Sequence, residues 1–440
     1  MIATDITCSL EGKCFKNNEK ILGNIEGKMK KLLIIGAGIG QINLVKKAKE
    51  LGCHVTVVTI PGNWPALELA DDVWYIDIYD RDRIVERAKY ENISAVTSDQ
   101  NDLMMPTVAY VAEKLGLPGN TLEQVNSYCN KNTFRKNCDL IGVPSPKHIE
   151  VNDINFDFSS FDCKMPWIVK PADSQSSIGV RRVDSIDEVK PALKDAIMSS
   201  KTNSAIVEEF FFGKELVCEG FIENGKYFNL EFADRKYFNL DNLMIPSQTL
   251  FPSVIEDKIK EKIINYESRM AAYIKPSFCI THSEYLYNEL TGEIRIIETA
   301  LRGGGVFISS HLIPYSTGID INDILLKKVL GIDVDVYGKF MNKKSLAAGY
   351  VCFYLEDGII DSIEGIEKIK SMPFVKMMKI SDIQPGLKAN KITYKGDRRG
   401  PFIVCGNTRE ELENNILKIQ NTFCVSIKNK DIVCPGIIWT

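Results

Sequence analysis

Two glutamates on either side of a tight turn are the first residues whose types and spacing suggest chemistry. In HSEYLYNELTGEIRIIETALRGGG, residues 282 to 305, two apolar stretches flank Leu290-Thr291-Gly292 and read as a β-hairpin. With the turn centred on Thr291, Glu284 falls roughly opposite Glu298. Like charges facing each other across strands destabilise a sheet, and burying unpaired charge costs more still. Two readings follow. Either the register is off by one residue and one glutamate points to solvent, or a divalent cation sits between the carboxylates, since hard cations take oxygen ligands. Arg302 and the glycines from Gly303 onward come immediately after. His282 lies on the strand face of Glu284. It reads as a packed histidine, or as a group that touches substrate or acts as a base.

Three other stretches carry candidate chemistry. PWIVKPADSQSSIGV, 166 to 180, is an apolar strand presenting Lys170, then a Ser/Gly loop. Hydroxyls and amides of Ser174, Ser176 and Ser177, with Gly179 closing the loop, suit phosphates, and Lys170 supplies counter-charge. The alternative is a surface turn beside a solvated lysine. AIVEEFFFGKELVCEGF, 205 to 221, reads as a hairpin turning at Gly213, with Glu208 and Glu215 bracketing an aromatic run. An adenine would lie on such a run and a carboxylate such as Glu215 would accept from ribose hydroxyls. Solvated glutamates on an edge hairpin are the alternative. GAGIGQ, 36 to 41, leads from a strand into a helix, but Gln41 stands at the third glycine position of a dinucleotide fingerprint. The next strand ends in Thr59 rather than an acid, so a NAD site fits poorly. The turn is structural, or its amides meet a carboxylate or other anion.

The elements that must position these residues form two classes, α/β and α+β. From 32 to about 125, strands LLIIGAG, HVTVVTI, DVWYID and ISAVTSD alternate with helices GQINLVKKAKELG and RDRIVERAKYEN, the pattern of a parallel sheet. NKNTFRKNCDLIGVPSPK is a helix ending in a Pro-rich turn. From 167 on, Ile-, Val- and Phe-rich strands mix with helices at 185 to 199, 257 to 273 and 320 to 331. A last α+β unit, 345 to 433, holds the strand pair LAAGYVCFYLEDG and the helix TREELENNILKIQN. Residues 1 to 28 are polar with little periodicity, and read as an extension or a misassigned start.

Bulk properties narrow the class. A chain of 440 residues with 45% hydrophobic and 25% charged residues has an ordinary globular balance and room for two to four domains. A net charge of -4 gives no pull toward nucleic acid or anionic membrane. No apolar run reaches the ~20 residues of a membrane span, and no signal-peptide core opens the sequence. Twelve cysteines lack a C-x-x-C pair and there are four histidines, which argues against zinc. Dispersed thiols read as reduced core residues in a cytoplasmic protein.

The order of these motifs, a lysine strand, a small-residue loop, E-x6-E and a two-carboxylate hairpin ending in arginine, resembles the ATP-grasp superfamily. The resemblance runs from residue 29 nearly to the end, and is greatest to carboxylate–amine ligases of the L-amino acid ligase type, which share the E-x-A-x-R of ETALR and the GDRRG segment. It implies a Rossmann-like pre-ATP-grasp domain at 29–125, a two-lobed ATP-grasp domain at 126–331 and a small α+β domain at 332–440, with 1–28 as an extension. It implies ATP and Mg2+ (or Mn2+) as cofactors. Lys131 and Lys170 would contact ATP phosphates, Ser174, Ser176, Ser177 and Gly179 would be the phosphate loop, and Glu208, Glu209 and Phe211 would meet adenine. Glu215 would take the ribose, Glu284 and Glu298 the metal, and Arg302 the phosphorylated intermediate. His282, Gly303 and Gly304 are candidates to touch substrate. The partners implied are a small carboxylate and an amine, with a homodimer common in the family. Two departures stand out. Ala300 replaces the usual metal-binding Asn, and the phosphate loop is Ser-rich rather than Gly-rich. Bicarbonate-using relatives of the carbamoyl-phosphate synthase and biotin carboxylase kind, and a nucleotide-binding module without catalysis, are the alternatives.

Overall fold

The computed structural model describes residues 6–7, 29–173, 179–240, 245–390, 395–429 and 432–439. Ser174, Ser176 and Ser177 lie outside the described residues.

The first unit is a parallel four-stranded sheet. Its order is Asp72–Tyr75, His54–Thr59, Lys31–Ile35, Ala95–Thr97. Leu32 to Ile35 are fully buried, as expected for a strand covered on both faces. The helices Ile42–Glu50, Arg81–Tyr90 and Met105–Leu115 flank it; the last was not read from sequence. Gly36 ends the first strand at φ +95°, and a Cβ there would run into Met104.

A small antiparallel sheet follows, ordered His148–Val151, Ala205–Glu209, Trp167–Pro171, Arg181–Val183. The helix Ile186–Ser199 closes it over a core that includes Trp167, Val169, Val189 and Leu193.

The third layer is a long antiparallel sheet. Its main path runs Ile6–Thr7, Val375–Met378, Arg399–Gly406, Ala347–Leu355, Pro246–Phe251, Lys226–Tyr237, Lys214–Glu223, Phe278–Tyr287, Ile294–Ala300. Hydrogen bonding is continuous across residue 331, because the strand Pro246–Phe251 pairs with Ala347–Leu355. One face packs on the helices Asp257–Ile274 and Arg409–Thr422 through Leu216, Phe232, Val351 and Phe402. The other face carries Glu215, Arg235, Glu284 and Glu298.

Two sequence expectations are corrected here. LAAGYVCFYLEDG is not a strand pair: Ala347–Leu355 is one wholly buried strand, and Gly358–Glu364 begins a separate sheet. AIVEEFFFGKELVCEGF is not a hairpin either. Its two strands belong to different sheets, and the residues between them cross from one to the other. The crossing is tight at Gly213, where a Cβ would lie 2.9 Å from the Tyr287 backbone.

Candidate active site

Register settles the question raised by the two glutamates. Glu284 pairs with Glu298 and His282 with Ala300. Tyr285 then faces Ile296, so Ile297 is the extra residue of a bulge. Cross-strand partners share a face, so neither carboxylate is turned to the far side.

The two are compensated unequally. Arg235, in the strand Lys226–Tyr237, donates from Nη1 to Glu284 at 2.6 Å and also to Glu215. His282 Nε2 lies 3.3 Å from Glu284, and Nδ1 donates to fully buried Glu219. The Tyr237 hydroxyl donates to Glu215. Glu298, half-buried, has no hydrogen bond or ion pair with any described residue.

These contacts set the charge states. Burial raises Glu215 to about 7, Arg235 opposing and Glu284 adding to the rise. Burial also works to raise Glu284, yet Arg235 and His282 hold it well below the carboxylate range. Burial disfavours charge on His282, but the Glu219 carboxylate raises it to about 9, so the ring is an imidazolium at neutral pH.

No three His, Cys, Asp or Glu side chains form a metal cluster among the described residues. Two carboxylates suffice for a magnesium ion that takes its remaining ligands from phosphates and water. The bare Glu298 opposite Glu284 fits that arrangement.

The segment after the hairpin is pinned from two sides. Arg302 makes a bidentate pair with Asp102 of the first unit, at 3.0 and 2.7 Å, and donates to the Gly303 carbonyl. The Gly303 amide donates to Asp99 at 2.7 Å, and Asp99 also accepts from Ser309 and Asn322. The Gly304 amide reaches Glu219 at 3.3 Å. A Cβ on Gly304 would lie 2.6 Å from Glu219 Oε1 and 2.9 Å from His282 Nδ1.

On the small sheet, Lys170 and Glu208 form an ion pair at 2.6 Å, and Arg135 joins Glu208 at 2.7 Å. Burial would raise Glu208, but Arg135 and Lys170 bring it down to about 2. Burial lowers Lys170 despite Glu208. Arg135 also donates to the Ile297 carbonyl at 2.7 Å, beside Glu298. Lys131 opens the helix Lys131–Ile141, its amide bonded to the Ala172 carbonyl just past the Lys170 strand. Glu209 accepts from the Lys147 amide at 3.1 Å. Phe211 is buried under the Arg295 guanidinium. Gly179 has φ +72°, with Pro171 where a Cβ would go.

Sequence reasoning missed Arg235, Glu219, Asp99, Asp102 and Arg135. Glu219 and Arg235 did leave a signal, as charged residues inside otherwise apolar strands. Asp99 and Asp102 sit after a parallel strand, the usual edge for ligands in such sheets. Arg135 gave none beyond its helix.

Residues 45–119 match the ATP-grasp N-terminal domain, and residues 150–273 match the D-ala D-ala ligase C-terminus. Alanine–anticapsin ligase of Bacillus subtilis (strain 168) is 25% identical over 307 residues, which is 64% of this chain but only 59% of that protein's length. The structure of L-amino acid ligase from Bacillus licheniformis superposes with a TM-score of 0.76 at 20% identity, over 91% of this chain and 99% of that one. Phosphoribosylglycinamide synthetase from Anaerococcus prevotii gives 0.72 at 22% identity, over 91% and 100%. The chain thus carries segments that match ATP-grasp domain models, and it resembles the carboxylate–amine ligases of the L-amino acid ligase type.

Proposed function

We propose that this chain is an ADP-forming carboxylate–amine ligase that joins a small carboxylic acid to an amine through an acyl phosphate. The observation that carries the reading is the in-register pair of Glu284 and Glu298, one neutralised by Arg235 and His282, the other left bare beside Arg302. Magnesium held by these two glutamates would neutralise ATP phosphates. The acid's carboxylate attacks the γ-phosphoryl group, and Lys131 and Lys170 offset the negative charge that builds there. ADP leaves, the amine adds to the carbonyl carbon of the acyl phosphate, an oxyanion develops there, and its collapse expels phosphate while the nitrogen gives up a proton to phosphate or water, leaving the amide. Arg302 spends three N–H groups on Asp102 and Gly303, leaving two for that oxyanion. Asp102 and Asp99 position Arg302 and the glycines rather than touching substrate. Glu208, Glu209, Phe211 and Glu215 would line the nucleoside, with Gly179 closing the phosphate loop.

The test is release of ADP and phosphate from Mg-ATP with amino acids and small acids offered singly and in pairs. ADP with one pair only supports ligation and names both substrates. ADP with bicarbonate alone moves the chain to the carboxylating branch, and AMP as product overturns the reading.

A further inference from the structure

Arg398 of the GDRRG segment is a cation in want of an anion. Its Nη1 donates to the Pro246 carbonyl at 2.8 Å, and its guanidinium lies 5.9 Å from the Tyr350 ring centre. No carboxylate pairs with it among the described residues. Other arginines that are buried or half-buried near the large sheet each have one: Arg135 has Glu208, Arg235 has Glu215 and Glu284, Arg302 has Asp102, and Arg409 has Asp234. Adjacent Arg399 pairs with Asp382 at 2.7 Å. Beside Arg398, on the sheet face that carries Glu284, the register runs Arg235, Thr249, Tyr350 across three neighbouring strands. Four buried polar atoms here have no hydrogen-bond partner: Ser247 Oγ, Thr249 Oγ1, Tyr354 OH and Arg235 Nε. Ser247 and Thr249 are fully buried. Unmade hydrogen bonds at buried groups are costly, and a half-buried cation without an anion adds to that cost. Together they describe a subsite that an oxyanion completes.

We propose that Arg398, with Tyr350 and the hydroxyls of Ser247 and Thr249, binds an anionic group, carboxylate or phosphate, of a substrate, apart from the carboxylate that is activated. The inference rests on the ligase reading for which substrates approach this face. The anion belongs either to an acid with a second charged group or to the amine partner. Calorimetry on the full chain with Mg-ADP separates these, using L-aspartate against L-alanine for the acid, and O-phospho-L-serine against L-serine, or L-alanine against L-alaninamide, for the amine. The charged member of one set binds at least 10-fold more tightly to the unaltered protein, as a charge-assisted hydrogen bond of about 1.5–3 kcal/mol requires. Arg398→Gln abolishes that preference, while Arg399→Gln and the affinity for Mg-ADP itself leave it in place. No charge preference in any set, or a preference that survives Arg398→Gln, overturns the proposal. Failure of the ligase reading shows elsewhere, as absence of ADP release with every pair.

Discussion

Glu208→Gln tests the electrostatics of the small sheet most directly. The carboxylate is the sole acid between Arg135 and Lys170, and the three side chains are 4%, 0% and 8% exposed, so solvent screens little. Removing one partner of a buried ion pair typically costs about 3–5 kcal/mol. An independent route gives a similar figure. Glu208 is drawn down from 4.5 to about 2, worth ~3 kcal/mol of stability. Because its folded value is depressed, that stability is fully present above the unfolded value and is lost as pH falls through the folded one. At pH 7.5 the variant therefore unfolds at markedly lower urea, while near pH 2 the two proteins converge. Urea unfolding followed by the fluorescence of Trp167, which packs on Phe158 and Phe161, reads the loss. Hydrogen exchange across Ala205–Glu209 localises it. Lys170→Met in a double-mutant cycle should show coupling of at least 1 kcal/mol, because it removes a cation that Glu208→Gln leaves unpaired. Destabilisation below 1 kcal/mol, or no coupling, refutes the argument that this triad is a mutually dependent buried network.

Glu298→Gln behaves in the opposite way: with no ion pair to lose, its urea midpoint stays put, while ADP release falls at least 100-fold; normal turnover removes Glu298 from the metal site. Arg302→Lys keeps the charge but not the two-pronged grip on Asp102, so kcat falls by about 100-fold, the scale of losing one oxyanion donor, with little change in the KM for ATP; an unchanged kcat shows that this arginine does not face the reacting carbonyl. Gly304→Ala places a methyl group against Glu219 and His282, so turnover drops while the circular dichroism spectrum is retained; full activity means the segment has another conformation in the working enzyme.

Most of the hairpin was legible from sequence because local chemistry dictates it. The turn residues and the two-residue period set the register from Tyr287–Ile294 to Tyr285–Ile296, and the bulge at Ile297, which nothing local announces, then brings Glu284 to Glu298. Lys170 and Arg302 were legible for the same reason, as charges at the ends of apolar strands. What sequence hid is what depends on long-range pairing. Arg235 reaches Glu284 only because the strand Lys214–Glu223 lies between their strands in the sheet. Asp102 meets Arg302 from a separate unit, 200 residues away in the chain. The residues after Glu208 read as a turn because Gly213 follows an aromatic run, yet that glycine serves close packing against Tyr287. Nothing local distinguishes a hairpin from a crossing between sheets.

Under the proposed function, the charge arrangement on the large sheet favours Glu298 over its neighbours as the point where a metal would bind. Four carboxylates, Glu215, Glu219, Glu284 and Glu298, share one region with three cations, Arg235, His282 and Arg302, the last paired with Asp102. Glu219 is matched to His282 and Glu284 to Arg235 with His282 behind it. Glu215 shares the same guanidinium, yet burial, with the Glu284 charge adding to it, raises its pKa to about 7. Glu298 is the one member with neither an ion pair nor a hydrogen bond among the described residues, and it is half-buried, where lone charge is poorly solvated. A cation from solution is attracted to that point first, and Glu284, its register partner, is already ionised to receive it. Arg135 holds the adjoining Ile297 carbonyl and Glu208 together, so the bare carboxylate sits on a backbone braced from the small sheet. The same guanidinium therefore ties the small sheet to the Glu298 end of the large one.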